Sequence, residues 1–284
     1  MLNLYSIALN QEPTKEDLDD KEKASILYHN LFDYPLSFSD LIKWKSGNKV
    51  EVTKARNQVT NKRGFYFLEG REGLIYKRLL RKRVSDKKMK IAKASAKIFA
   101  LIPTIKMVAV TGSLAMENAA EESDIDLMMV TKKGTLWITR LLTYLLTYLF
   151  NLSIRKPSDN NQKDKFCLNI WLDETDLLWS KKDRNVYTAH EIAQIIPLVN
   201  KDKTYEKFLH KNKWLLDYWP NSVKISEKRR VKSEKVFSLD LIEKLAFNLQ
   251  KNYMMKKVTR EIVTPTRALF HPQDWGKVVL GRLT

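Results

Sequence analysis

Two aspartates stand two residues apart, Asp124 and Asp126, inside the run Ser123-Asp124-Ile125-Asp126-Leu127-Met128-Met129-Val130. In an extended strand alternate side chains leave the same face, so both carboxylates project to one side. Two like charges side by side are costly without a cation. Hard oxygen donors of this kind suit Mg²⁺, which keeps several waters and completes its shell from substrate phosphates. Upstream, Gly112-Ser113 ends the apolar run Met107–Thr111. Glycine lets the backbone approach a ligand closely and take unusual dihedrals. The amides that open a following helix attract anions, and the Ser113 hydroxyl adds one more donor. Together these residues suit phosphate binding and metal-assisted displacement at phosphorus. Singly, each has a structural explanation as a tight turn or a polar strand end; the combination at this spacing favours a site.

The elements that must position them follow from the hydrophobic pattern. Met107–Thr111 predicts a short strand, Leu114–Ala120 a helix, and Asp124–Val130 a second strand in which Ile125 and Leu127 anchor the aspartates to a core. Leu136–Ile154 predicts a buried core helix. A polar loop over 156–165 leads to a third strand, Phe166–Leu172, on which Cys167, Asn169 and Trp171 are expected to share a face.

The segment Gly112-Ser113 through Asp124-Ile125-Asp126, set between two strands, resembles the signature of the DNA polymerase β-like nucleotidyltransferase superfamily. The wider chain resembles uncharacterised bacterial nucleotidyltransferase-domain proteins with an N-terminal winged-helix-like part, in the segments Phe166-Cys167-Leu168-Asn169, Tyr187-Thr188-Ala189-His190-Glu191 and Phe270-His271-Pro272. The resemblance implies an enzyme that moves a nucleoside monophosphate from an NTP to a hydroxyl acceptor and releases pyrophosphate. Gly112 and Ser113 would hold the β- and γ-phosphates, and Asp124 and Asp126 would bind Mg²⁺ and be catalytic. A third carboxylate is common on a neighbouring strand, where Asn169 is the polar residue here. An amide can ligate a metal but cannot serve as a general base near neutral pH. Asp173, Glu174 and Asp176 are the nearby acids that would have to substitute. The alternative is a non-catalytic protein, binding nucleotide or nucleic acid through a degenerate transferase core.

The expected fold is α+β: a nucleotidyltransferase-like mixed sheet flanked by helices, with an N-terminal winged-helix-like domain and a helical C-terminal region. The expected divisions are 1–90 for the winged-helix-like domain and a connecting basic helix, 91–180 for the nucleotidyltransferase core, and 181–284 for the helical region. In the first division a helix is expected over Thr14–Leu31. A capping box at Ser37–Asp40 opens a second helix, a third is expected over Val50–Thr60, and a β-hairpin around Gly64–Gly70 follows. Arg56, Lys62, Arg63 and Arg71 are the candidate phosphate-facing residues there. Leu74–Ala100 predicts a long basic helix, whose cations at 77–90 either meet phosphates or form a solvated face. In the third division helices are expected from Thr188 to Ile196, over Thr204–Trp219 and near Leu239–Thr259. His190 and Glu191 are candidates to line the cleft, with a satisfied structural histidine the competing reading; His271 reads as a packing or turn residue.

The chain carries 51 Lys and Arg against 33 Asp and Glu, a net charge of +18. That makes nucleotides, nucleic acid or an anionic membrane surface suitable partners. Leu136–Ile154 approaches the length of a span but contains Arg140, three threonines and Asn151, so stable membrane insertion is not expected and membrane association is the weakest of the readings. The one cysteine, Cys167, cannot form an internal disulfide, which suits a reducing cytoplasm; it reads as a small core residue. No cysteine–histidine cluster has zinc-ligand spacing and GxxxxGK[ST] is absent.

Overall fold

The computed structural model describes residues 17–50, 58–156, 159–225, 239–255, 261–270 and 275–283. The chain opens with helix α1 (Asp20–Asn30), whose N-terminus is closed by a capping box between Asp19 and Glu22. Strand β1 (Leu36–Ser37) and helix α2 (Phe38–Lys43) follow, with Ser37 and Asp40 forming the reciprocal cap the sequence signalled. Residues 51–57, on which most of the expected third helix and Arg56 fall, lie outside the described residues; Val59 and Thr60 belong to strand β2 (Val59–Lys62). β2 turns directly into β3 (Phe65–Leu68) through Arg63 and Gly64, both at positive φ. Two successive left-handed residues match the right-handed twist of a hairpin. The three strands pair antiparallel in the order β1-β3-β2. Arg71, partly exposed, binds the Asn30 carbonyl and pairs with Asp33.

Helix α3 (Gly73–Phe99) leads into the larger sheet. Its strands and helices run β4 (Ile105–Val110), α4 (Gly112–Ala115), β5 (Ile125–Thr131), α5 (Leu136–Leu149), β6 (Phe166–Asp173), α6 (Val186–Ala193), β7 (Ile196–Asn200), α7 (Thr204–Lys211), α8 (Asp240–Met255), β8 (Ile262–Val263), β9 (Arg267–Leu269) and α9 (Trp275–Leu283). The strand order is β7-β4-β5-β6-β9-β8. Among the described strands only β5 and β6 pair in parallel, joined by the α5 crossover that a parallel pair requires. A mixed sheet with helices on both faces is thus observed, and three of its six strands come from beyond residue 180. The C-terminal region, expected to be helical, carries helices α6 to α9 and also adds these strands to the sheet. Ile196-Pro197-Leu198-Val199-Asn200 leaves the helical pattern and pairs with β4, at the sheet edge where a proline inside a strand is tolerated. The helix expected to 196 stops at Ala193, and that expected over 204–219 gives way after Lys211 to a 3₁₀ turn, Lys213–Asp217.

Alternation along the strands divides the core in two. Met107, Ala109, Met128, Val130 and Leu172 face the N-terminal elements together with α6, α7 and α9. Val108, Val110, Leu127, Met129 and Trp171 face α3, α5 and α8.

The second of these helical layers overturns an expectation. Leu136–Ile154 is not a core helix buried all round. Thr139, Thr143 and Thr147 point inward, while Leu145 is 52% and Tyr148 83% exposed. The small threonines allow close packing, and their hydroxyls are satisfied locally. Thr143 donates to the Thr139 carbonyl, Thr147 to that of Tyr144, and Thr139 shares a 2.6 Å hydrogen bond with Thr104. α8 is inverted in the same way. Its Glu243 accepts from the Trp137 and Ile138 amides at the start of α5, and Gln250 binds Arg140 and the Trp137 carbonyl. Leu241, Leu245 and Leu249 are left facing outward.

Candidate active site

Asp124 and Asp126 arrive at the N-terminal end of β5, and residue parity turns Asp126 to the face shared by Met128 and Val130. They line a cleft of about 500 Å³ with Thr111, Gly112, Ser113, Arg155, Cys167, Asn169, Tyr187, His190 and Glu191. All five of Gly112, Ser113, Asp124, Asp126 and Asn169 therefore meet in one cavity.

Gly112 sits at φ +62°, and a Cβ on it would lie 2.7 Å from Asp126 Oδ2. Both the backbone conformation and the close approach disfavour a side chain here. The helix that opens here is a single turn, Gly112–Ala115, shorter than the expected Leu114–Ala120. Its first amides lack intrahelical acceptors, so any phosphate grip belongs to that turn and to the exposed Ser113 rather than to a long helix dipole.

Asn169 shares the face of Cys167 and stands at a bulge in β6. Leu127 pairs with Leu168, and Met128 pairs with Ile170, leaving Asn169 as the extra residue. Its Nδ2 donates to Asp126 Oδ1 at 2.8 Å, while its Oδ1 is buried without a partner. The same bulge reverses the parity beyond it. Trp171, expected to share a face with Cys167 and Asn169, instead enters the opposite core layer. Asp173, Glu174 and Asp176 do not line the cleft. Asp173 lies opposite Thr131, about 17 Å along the strand from Asp126. It accepts from Gly134 and Thr175, Glu174 accepts from the Lys133 amide, and Asp176 binds Arg267.

Burial, and then the charge of Asp124, push Asp126 up to about 7. Arg155 Nη1 donates to Asp124 Oδ2 at 2.7 Å and lies 3.8 Å from Cys167 Sγ. Cys167, burdened first by burial and then by the two aspartates, is held well above the ordinary thiol range and remains a thiol. Asp124, Asp126 and Cys167 can bring one ligand atom each within 4.8 Å of one another. Two carboxylates beside an orphaned amide oxygen make a hard-oxygen set, and these residues fit Mg²⁺; the protonated thiol adds little to such a site.

A further carboxylate enters from a helix. Glu191 on α6 lines the cleft, half-buried, with Gln194 Nε2 donating to its Oε1 at 2.8 Å. Burial, followed by the charge of Asp126, pushes it up to about 7. Its neighbour His190 is buried and serves the scaffold. His29 Nδ1 donates to the Ser25 carbonyl, so its Nε2 accepts from His190 Nε2 at 3.1 Å, and Trp44 stacks on His190 with ring centres 4.1 Å apart. Burial lowers His29 to about 4 and His190 well below the ordinary histidine value, keeping the pair neutral.

Lys88 braces the approach to Asp124. It is 2% exposed and donates to the Glu121 and Ser123 carbonyls at 3.0 and 2.8 Å and to Asp164 at 2.7 Å. Part of the basic run in α3 is thus spent inside the protein: Arg78 likewise binds Tyr34 and the Glu117 carbonyl. No local motif singles out Lys88 or Arg155, because their carboxylate partners lie 31 or more positions away. His271 lies outside the described residues.

The profile of the nucleotidyltransferase domain family matches residues 88–236, from the bracing lysine through both aspartates and α6. The chain belongs to the nucleotidyltransferase domain family. A solved structure titled "Crystal structure of the toxin-antitoxin with AMP-PNP" is 12% identical, with a TM-score of 0.24 over 48% of this chain and 89% of that chain. A likeness of that degree carries no argument. No curated protein matches the chain. Membership of the nucleotidyltransferase family supports nucleotidyl transfer at the general level, on a mixed α+β fold.

Proposed function

We propose that this protein is a Mg²⁺-dependent nucleotidyltransferase that moves a nucleoside monophosphate from an NTP to a hydroxyl acceptor. The observation that carries the reading is the convergence of Asp124, Asp126, the orphaned Asn169 oxygen and the side-chain-free Gly112 turn in one cleft. Magnesium held by Asp124, Asp126 and Asn169 would neutralise charge building on the phosphates. Gly112 and Ser113 bind the β- and γ-phosphates, and Arg155 adds a fixed positive charge to the same wall. Glu191 takes the proton of the acceptor hydroxyl as its oxygen attacks the α-phosphorus and the bond to the bridging oxygen breaks, releasing pyrophosphate. A carboxylate titrating near neutrality is suited to that task, and its place on α6 makes up for the amide on β6.

The positive charge favours a nucleic acid acceptor. The order helix, strand, helix, hairpin over residues 20–68 suits a winged-helix-like first domain, with Lys62 and Arg63 exposed on its hairpin. A lone cysteine and an NTP substrate suit the cytoplasm. The competing reading, nucleotide binding without turnover, draws on Asn169 at the third position and on the Arg155–Asp124 pair.

The test is incubation with α-labelled NTPs, Mg²⁺ and either an oligoribonucleotide or the protein alone, with label transfer and pyrophosphate release both measured. Transfer by the wild type that disappears in Asp124→Ala supports the enzyme. Mg²⁺-dependent binding of a fluorescent ATP analogue, with neither product formed, supports the binding protein.

A further inference from the structure

The layer of α3, α5 and α8 presents an unusual outer surface. Helices that pack on a sheet normally turn their apolar stripe inward. Here α5 and α8 place threonine, glutamate and glutamine inward beside Leu136, Trp137 and Ala246, and carry further apolar rows outward, with Leu145 on one helix and Leu245 and Tyr253 on the other more than half exposed. The two helices pack side by side, so the rows are neighbours. Ordinary monomers expose contiguous apolar patches of only a few hundred Å².

Beside this apolar pair lies α3, which also packs against α5. Its outward residues Lys90, Lys93 and Lys97 fall three or four positions apart, along one side of the helix. The surface therefore combines an apolar centre, a cationic margin and two well-exposed tyrosines, Tyr148 and Tyr253. Tyrosine suits a boundary between hydrocarbon and water. Among the described residues no helix is long and apolar enough to cross a membrane. Amphipathic helices of this kind lie in the plane of an interface instead. A second copy of the chain is a poorer occupant, because it would bring together two molecules of net charge +18.

We propose that the outer surface of α3, α5 and α8 docks on an anionic lipid bilayer. The cleft opens on the other side of the sheet, so docking leaves it free to exchange nucleotide with solution. The proposal does not depend on the transfer reaction.

Flotation of the full chain with phosphatidylcholine vesicles, and with vesicles also containing phosphatidylglycerol, tests it. Binding is expected to the anionic vesicles and to weaken with added salt. The double variant Leu145→Glu/Leu249→Glu should abolish flotation. The triple variant Lys90→Glu/Lys93→Glu/Lys97→Glu should weaken it by on the order of a hundredfold. All these positions are exposed, and unchanged circular dichroism and melting temperature confirm folding. Flotation indifferent to both variants overturns the proposal, as does failure of the wild type to float. A wild-type dimer in light scattering that Leu145→Glu/Leu249→Glu dissociates would assign the face to a second copy and equally overturn it.

Discussion

The two faces of the central sheet bury polar groups for opposite reasons. On the cleft face the carboxylates of Asp126 and Glu191 are crowded together and pushed up to about 7, and the Asn169 oxygen is left without a partner. On the helical face every inward threonine hydroxyl named above is satisfied within its own layer, and Glu243 caps α5. Burial without satisfaction costs free energy. Where it is tolerated, beside a glycine at positive φ that closely approaches Asp126, the fold is holding groups for something it does not itself supply. Where the threonine hydroxyls and Glu243 are satisfied, polar residues are packing material, and the unusual feature moves outward to the exposed leucines.

Lys88→Met should produce the largest loss of stability, because it leaves two carbonyls and Asp164 at the cleft edge without their cation. A cost of about 3–5 kcal/mol in denaturant unfolding is expected, with a parallel loss of Mg²⁺-dependent nucleotide binding. A cost below about 1 kcal/mol would show that the loop before Asp124 is held by other means. Gly112→Ala comes next. At positive φ and in contact with Asp126, it should destabilise by about 1–3 kcal/mol, and displacement of the carboxylate should lower kcat/KM by on the order of a hundredfold. Unaltered turnover would separate the turn from the chemistry.

A smaller effect concerns pH. Asp126 has its folded value raised to about 7, so charging it opposes folding as pH rises through 7, whereas a bound divalent ion requires the charged form. The gain in melting temperature on adding Mg²⁺ should therefore grow between pH 6 and pH 8, with apparent affinity rising by up to about tenfold per unit below 7. A gain independent of pH would place the ion elsewhere. The smallest effect belongs to the opposite face. Leu149→Ser, at an exposed position, should leave stability within about 0.5 kcal/mol and nucleotide binding unchanged; a larger cost would show the leucine row to be part of the core.

The contrast also explains what could be read beforehand. The β4 turn and β5 were legible because hydrophobic alternation and a glycine carry local information, and the capping box of α2 obeys the same logic, whereas that of α1 at Asp19 and Glu22 was missed. The extent of the sheet was not, since β7, β8 and β9 are short and find their partners across long separations. Asn169 was placed on the correct face but Trp171 was not, because a bulge leaves no signature in the residue pattern. Glu191 stood among the cleft candidates. Arg155 and Lys88 gained their roles only from tertiary proximity. The leucines of α5 misled because hydrophobicity counts residues without saying which side a neighbouring sheet occupies.

The bulge at Asn169 has a consequence for how such a protein can change. Without it, one strand would be a single alternating string, and inserting or deleting a residue would exchange its two sides wholesale. With the extra residue, the segment before it can vary its ligands while the segment after it keeps Trp171 seated among the helices. Chemistry and architecture thus become separately mutable along one continuous stretch of chain.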